Sequence, residues 1–91
     1  MHKIASLIRL MPNPNKGTFT VKGTLGVKMD QEVSIELSDV LGQVLYHTKV
    51  ASHNGEVNEQ ITLGSNVANG MYMLTLKTPT ENKVFHVVIE Q

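Results

Sequence analysis

Val33, Ile35 and Leu37 alternate with Ser34, Glu36 and Ser38. This two-residue period sets three aliphatic side chains on one face of an extended segment and polar groups on the other. Similar short segments, apolar on alternate residues or rich in branched residues, recur at intervals of roughly ten to fifteen residues with turn chemistry between them, which is the rhythm of half-buried strands. Seven fit the chain: Ile4–Leu10, Thr18–Lys22, Glu32–Ser38, Gln43–Lys49, Val57–Leu63, Met71–Lys77 and Lys83–Glu90. None reads as a helix. The second contributes Phe19 and Val21 to an apolar face, and the fifth Val57, Ile61 and Leu63. The sixth sets Tyr72, Leu74 and Leu76 against Met71, Met73 and Thr75, and the last sets Phe85, Val87 and Ile89 against His86, Val88 and Glu90. Both look more buried than the third, so both are expected to be central strands.

The connections are legible for separate reasons. Pro12-Asn13-Pro14-Asn15-Lys16-Gly17 supplies fixed φ angles, side-chain acceptors and a glycine able to take positive φ, the ingredients of a tight, rigid loop. Asp39-Val40-Leu41-Gly42 is short enough to reverse the chain as a hairpin, with the Asp39 carboxylate bonding backbone amides. Asn54-Gly55 is the favoured pair of a type I′ turn between the fourth and fifth segments. Asn69-Gly70 precedes the sixth segment and Pro79-Thr80-Glu81-Asn82 turns into the last, whereas Gly23–Gln31 gives no indication of its course.

With 91 residues there is room for one core, because domains mostly run to about 100–150 residues. Seven half-buried antiparallel strands close a core by folding as two sheets face to face, so the expected fold is an all-β, seven-stranded antiparallel immunoglobulin-like β-sandwich. The chain has neither cysteine nor tryptophan, so the likeness to antibody domains is one of architecture alone.

Function classes fall away on charge and composition. Eight basic residues balance eight acidic ones, with none of the positive excess that neutralises phosphates, which disfavours a nucleic-acid role. Without cysteine there is no thiolate zinc site, iron–sulfur cluster, disulfide framework or cysteine nucleophile. The longest apolar run is Met71–Leu74, far short of the roughly 20 residues that span a bilayer and of a signal-peptide core, so no membrane insertion and no self-directed export are expected. His2, His47, His53 and His86 offer no close ligand pair, and His86 is expected to face solvent. Asp30 and Glu32 lack the spacing of a calcium loop, and the carboxylates as a set are dispersed. No nucleophile elbow, phosphate loop or dinucleotide fingerprint is present, and the expectation is a non-enzyme without cofactor or metal.

One ordered set of motifs is more specific. Pro12-Asn13-Pro14…Gly17-x-Phe19, then Asp39-x-x-Gly42-Gln43-x-Leu45, then Asn69-Gly70-Met71-Tyr72-x-Leu74, then Lys83-Val84 with a short strand to the terminus, resembles the type A C-terminal sorting domain of the type IX secretion system. The resemblance spans about residues 8–91, within a single domain 1–91 whose residues 1–7 read as a linker or an expression remnant. Pro12, Asn13, Pro14 and Gly17 match the family's loop motif, Asp39, Gly42 and Gln43 its middle turn, Gly70 and Tyr72 its Gly-x-Tyr motif, and Lys83 and Val84 the start of its terminal motif. Met11 stands where the family often has an aromatic, and Ile89-Glu90-Gln91 closes the chain without a basic residue.

The resemblance implies a sorting signal at the tail of a larger exported protein in a gram-negative bacterium. Its cargo, fused on the N-terminal side, reaches the periplasm by its own signal peptide, is passed outward by an outer-membrane translocon, and is handled on the cell surface by a sortase-like peptidase. Partner recognition is expected along the last strand, at Lys83, Val84, Phe85, Val87, Ile89 and Gln91, through strand addition if that strand lies at a sheet edge. The alternative function is an accessory β-sandwich for cell-surface adhesion or glycan binding, although two tyrosines and no tryptophan give sugar rings little to stack on.

Overall fold

The computed structural model describes residues 6–64 and 67–91. The seven strands are β1 (Leu7–Met11), β2 (Thr18–Thr24), β3 (Glu32–Ser38), β4 (Val44–Ala51), β5 (Glu56–Thr62), β6 (Gly70–Lys77) and β7 (Asn82–Ile89). Each overlaps its expected segment. The first was expected from Ile4, but Ile4 and Ala5 lie outside the described residues, and β1 begins at Leu7.

The strands form two antiparallel sheets, a three-stranded one in the order β1-β2-β5 and a four-stranded one in the order β4-β3-β6-β7. Their inward residues interdigitate as one core. Phe19, Val21, Val57 and Ile61 come from the smaller sheet, and Val33, Ile35, Leu37, Tyr72, Leu74, Leu76, Val87 and Ile89 from the larger. These are the faces that the two-residue period selects, because a slip of one residue would turn every one of them to solvent.

One position differs from expectation. β6 is central, but β7 is the edge of its sheet. Its outer face carries Val84, 58% exposed, then His86 and Val88, and Val88 pairs in register with Met71, 51% exposed. The segment of unknown course, residues 23–31, carries the fully buried Leu25 into the end of the core. Gly26 N donates to the buried Glu81 carboxylate, 2.6 Å, and the Ser6 hydroxyl donates to the same side chain, so Ser6 as well as Leu7 is tied into the sandwich.

The turns take their expected forms. Asp39 Oδ1 accepts from the amides of Leu41 and Gln43, both 2.9 Å, and Gly42 adopts φ 89°. Asn54 and Gly55 have φ 54° and 84°, the double positive φ of a type I′ turn, between reciprocal His53–Glu56 backbone bonds of 3.0 and 2.9 Å. From that turn β4 and β5 diverge into different sheets.

Candidate functional site

An edge strand leaves every second residue with its N–H and C=O pointing away from the sheet. On β7 the loop after β1 takes up these groups along the last part of the strand. The Asn13 side chain is an amide, chemically a peptide unit with one acceptor and a pair of donors. Its Nδ2 donates to the His86 carbonyl, 2.9 Å, and its Oδ1 accepts from the Val88 amide, 2.9 Å. The main chain then continues the pairing, with Asn15 N donating to Val88 O, 2.9 Å, and Glu90 N donating to Asn15 O, 2.8 Å. The chain that ends β1 in one sheet thus crosses to seal the edge of the other.

The loop is held rigid from within. Asn15 is buried, its Oδ1 accepts from Gly17 N at 2.8 Å, and its Nδ2 donates to the Pro12 carbonyl at 3.3 Å. Gly17 takes φ 106° and its carbonyl accepts from Leu63 N, 2.8 Å, joining the loop to the β5–β6 connection. From that connection Asn69 Oδ1 accepts from Gln91 N, and Val67 O accepts from Gln91 Nε2, both 2.8 Å. The Tyr72 hydroxyl donates to the Ala68 carbonyl four residues upstream, the tie of a tyrosine corner.

Pro12, Asn13, Pro14, Gly17, Asp39, Gly42, Gln43, Gly70 and Tyr72 therefore gather at the end of the sandwich where β1 stops and β6 begins, together with Gln91. Lys83 and Val84 lie toward the opposite end, where Lys83 pairs in register with Leu76 and Val84 with Thr75. Of the residues expected to meet a partner, Lys83, Val84 and Gln91 are exposed and Phe85 is half-buried. Val87 and Ile89 are fully buried, so their side chains serve the core and offer a partner nothing on the folded surface.

What this surface offers is backbone donors and acceptors, exposed aliphatic groups and single charges. Among the described residues no three His, Cys, Asp or Glu side chains come together. His47 sits 3.3 Å from the Ser34 hydroxyl, and His53 and His86 are exposed. Sequence reasoning missed the paired role of Asn13 and the buried Glu81, because both depend on partners more than seventy or fifty positions away. The only local hint for Glu81 is the preceding turn, in which Thr78 Oγ1 accepts from the amides of Thr80 and Glu81 at 3.1 and 3.0 Å.

A family model described as "Secretion system C-terminal sorting domain" matches residues 9–90. No curated protein matches the chain. Among solved structures, dimeric latent PorU from Porphyromonas gingivalis superposes with a TM-score of 0.69 and 18% identity over 93% of this chain and 9% of that one. PorZ of the same organism, described as an essential bacterial surface component of the type-IX secretion system, gives a TM-score of 0.64 and 24% identity over 92% of this chain and 11% of that one. A β-glucosidase from Listeria innocua gives a TM-score of 0.54 and 18% identity over 99% of this chain and 16% of that one. At these identities the likeness is one of fold, and the chain spans about a tenth of the length of the first two.

Proposed function

The chain belongs to the secretion-system C-terminal sorting domain family, and from that premise we propose that it is a non-catalytic signal that directs a cargo protein across the outer membrane to the cell surface. Such a domain is the tail of a larger protein that is exported to the surface or secreted. We propose that the type IX translocon and a sortase-like surface peptidase are its partners, with the cargo fused on the N-terminal side, and that residues 8–91 form the whole module.

The observation that carries this reading is the family match over residues 9–90, which takes in most of β1 and all of β2–β7. The geometry supports it, since the family's loop and turn positions gather at one end and Asn13 of the loop bonds the terminal strand. Lys83, Val84 and Phe85 toward one end of β7, and Gln91 beyond the other, then stand as the side chains offered to a receptor on the folded surface.

The test is surface delivery of a fluorescent protein carrying an N-terminal signal peptide and this chain at its C-terminus, in strains with and without a working type IX translocon. Translocon-dependent appearance outside the cell is expected. Periplasmic retention in both strains, with the domain folded, would overturn the sorting role and favour adhesion.

A further inference from the structure

The edge of β7 is divided at His86. Beyond it the outward groups His86 O, Val88 N, Val88 O and Glu90 N are taken by Asn13 and Asn15. Before it, the same alternation turns His86 N, Val84 N, Val84 O and Asn82 O outward, and none has a partner among the described residues. We propose that this free half, Asn82–His86, docks an extended segment of a partner protein by strand addition, antiparallel to β7, with a branched apolar residue opposite Val84 and a carboxylate beside Lys83. The proposal deepens the sorting reading and takes from it only that a partner protein reads this domain.

The free groups define the length of the added strand. A residue opposite Val84 exchanges two hydrogen bonds with it. The residue two places earlier accepts from His86 N, and the residue two places later donates to Asn82 O. The strand stops there, because the His86 carbonyl already accepts from Asn13. Val84 is 58% exposed on the outer face and supplies the apolar contact that such a cross-strand pair needs. The opposite edge, β4, carries His47 and Lys49 on its outer face and follows a register shift between Leu37 and Ser38, features that discourage pairing.

Charge selects the partner. Lys77 and Lys83 are exposed where β6 and β7 meet, with Lys77 opposite Asn82 and Lys83 opposite Leu76. The carboxylate of the turn between them, Glu81, is buried against Gly26 and Ser6. Among the described residues the one ion pair is Lys49–Glu32, 3.7 Å, which leaves this rim positive. A second copy paired about Val84 would set Lys83 across from Phe85 and bring no carboxylate to either lysine. An acidic residue one place after the central residue of the added strand meets Lys83 directly.

The probe is the capped peptide Thr-Ile-Val-Glu-Thr, titrated into the 91-residue chain with amide chemical shifts and hydrogen exchange read residue by residue. Saturable shifts confined to residues 82–86 and their β6 neighbours are expected, with slowed exchange at the Val84 and His86 amides and none at Val88. Methylation of the peptide's valine nitrogen, or Val84→Pro, whose nitrogen faces away from β6, should abolish binding, and Lys83→Gln should weaken it about threefold, the scale of an exposed ion pair. Absence of shifts at millimolar peptide would overturn the proposal, as would concentration-dependent protection of Val84 without peptide, which means pairing with a second copy. Peptide binding in a chain that fails to export its passenger sustains the docking site and overturns the sorting reading instead.

Discussion

The carboxylate of Glu81 and the amide of Gly26 meet at 2.6 Å across 55 positions of sequence, buried at the end of the sandwich opposite the motif loops. The contact ties the β6–β7 turn to the β2–β3 loop, and with the Ser6 hydroxyl it closes the core above Leu25. Replacing Glu81 with Ala leaves the Gly26 N–H without its acceptor in a buried site, at a cost of about 2 kcal/mol. Glu81→Gln keeps one oxygen and should retain a measurable part of that stability. Urea unfolding of the two variants checks the order, and equal midpoints would mean that the contact contributes nothing.

Leu25 gives the same loop its second anchor. It is fully buried although it belongs to no strand, so Leu25→Ala should leave a cavity at the end of the core and cost about 3 kcal/mol. Thermal unfolding followed by circular dichroism is the check. A loss below that of an exposed substitution would place Leu25 outside the cooperative core.

Strand positions and inward faces were legible because alternation is local: Val33, Ile35 and Leu37 declare their face within six residues. The Asp39 hairpin and the Asn54-Gly55 turn were legible for the same reason. Leu25 and Glu81 were not, since their burial depends on which loops the topology brings to one end. The edge position of β7 was hidden by Val84 and Val88, two branched apolar residues on its outer face that imitate a strand covered on both sides. The residues expected to meet a partner divide along the same line. Val87 and Ile89 belong to the inward period and fill the core, whereas Lys83 and Val84 stand at the surface.

Asn13 should behave as part of β7 rather than as loop. Asn13→Ala removes both bonds to the strand edge and should cost about 1 kcal/mol, modest because the site is exposed. Asn13→Asp keeps the acceptor for Val88 N but sets a carboxylate against the His86 carbonyl, so it should be no better than Ala. Hydrogen exchange at Val88 reports this directly, and the amide should exchange faster in Asn13→Ala, which removes its acceptor, than in Asn13→Asp, which keeps it. Unchanged protection would mean that the clip is absent in solution.

The tyrosine corner permits a one-atom test. Tyr72→Phe keeps the ring in the core and deletes the hydroxyl that bonds Ala68 O, with an expected loss of about 1 kcal/mol and no change of fold. A much larger loss, or a chain that fails to fold, would show that the tie organises the β5–β6 connection rather than adding to it.

Deleting the terminal strand should abolish export, yet that result alone would not locate recognition. The deletion strips Val87 and Ile89 from the core and exposes the edge of β6, so loss of the fold would explain it equally well. Lys83→Gln with Val84→Ser separates the two, because both side chains are exposed and surface substitutions of this kind usually alter stability by no more than about 0.5 kcal/mol. If the folded surface of β7 is what the secretion machinery reads, the double variant should melt near the parent and deliver a fluorescent passenger less well. Should a folded double variant deliver its passenger at the parent's rate, recognition lies elsewhere on the domain, and the next positions to vary are Gln91 and the exposed residues of the loop between β1 and β2.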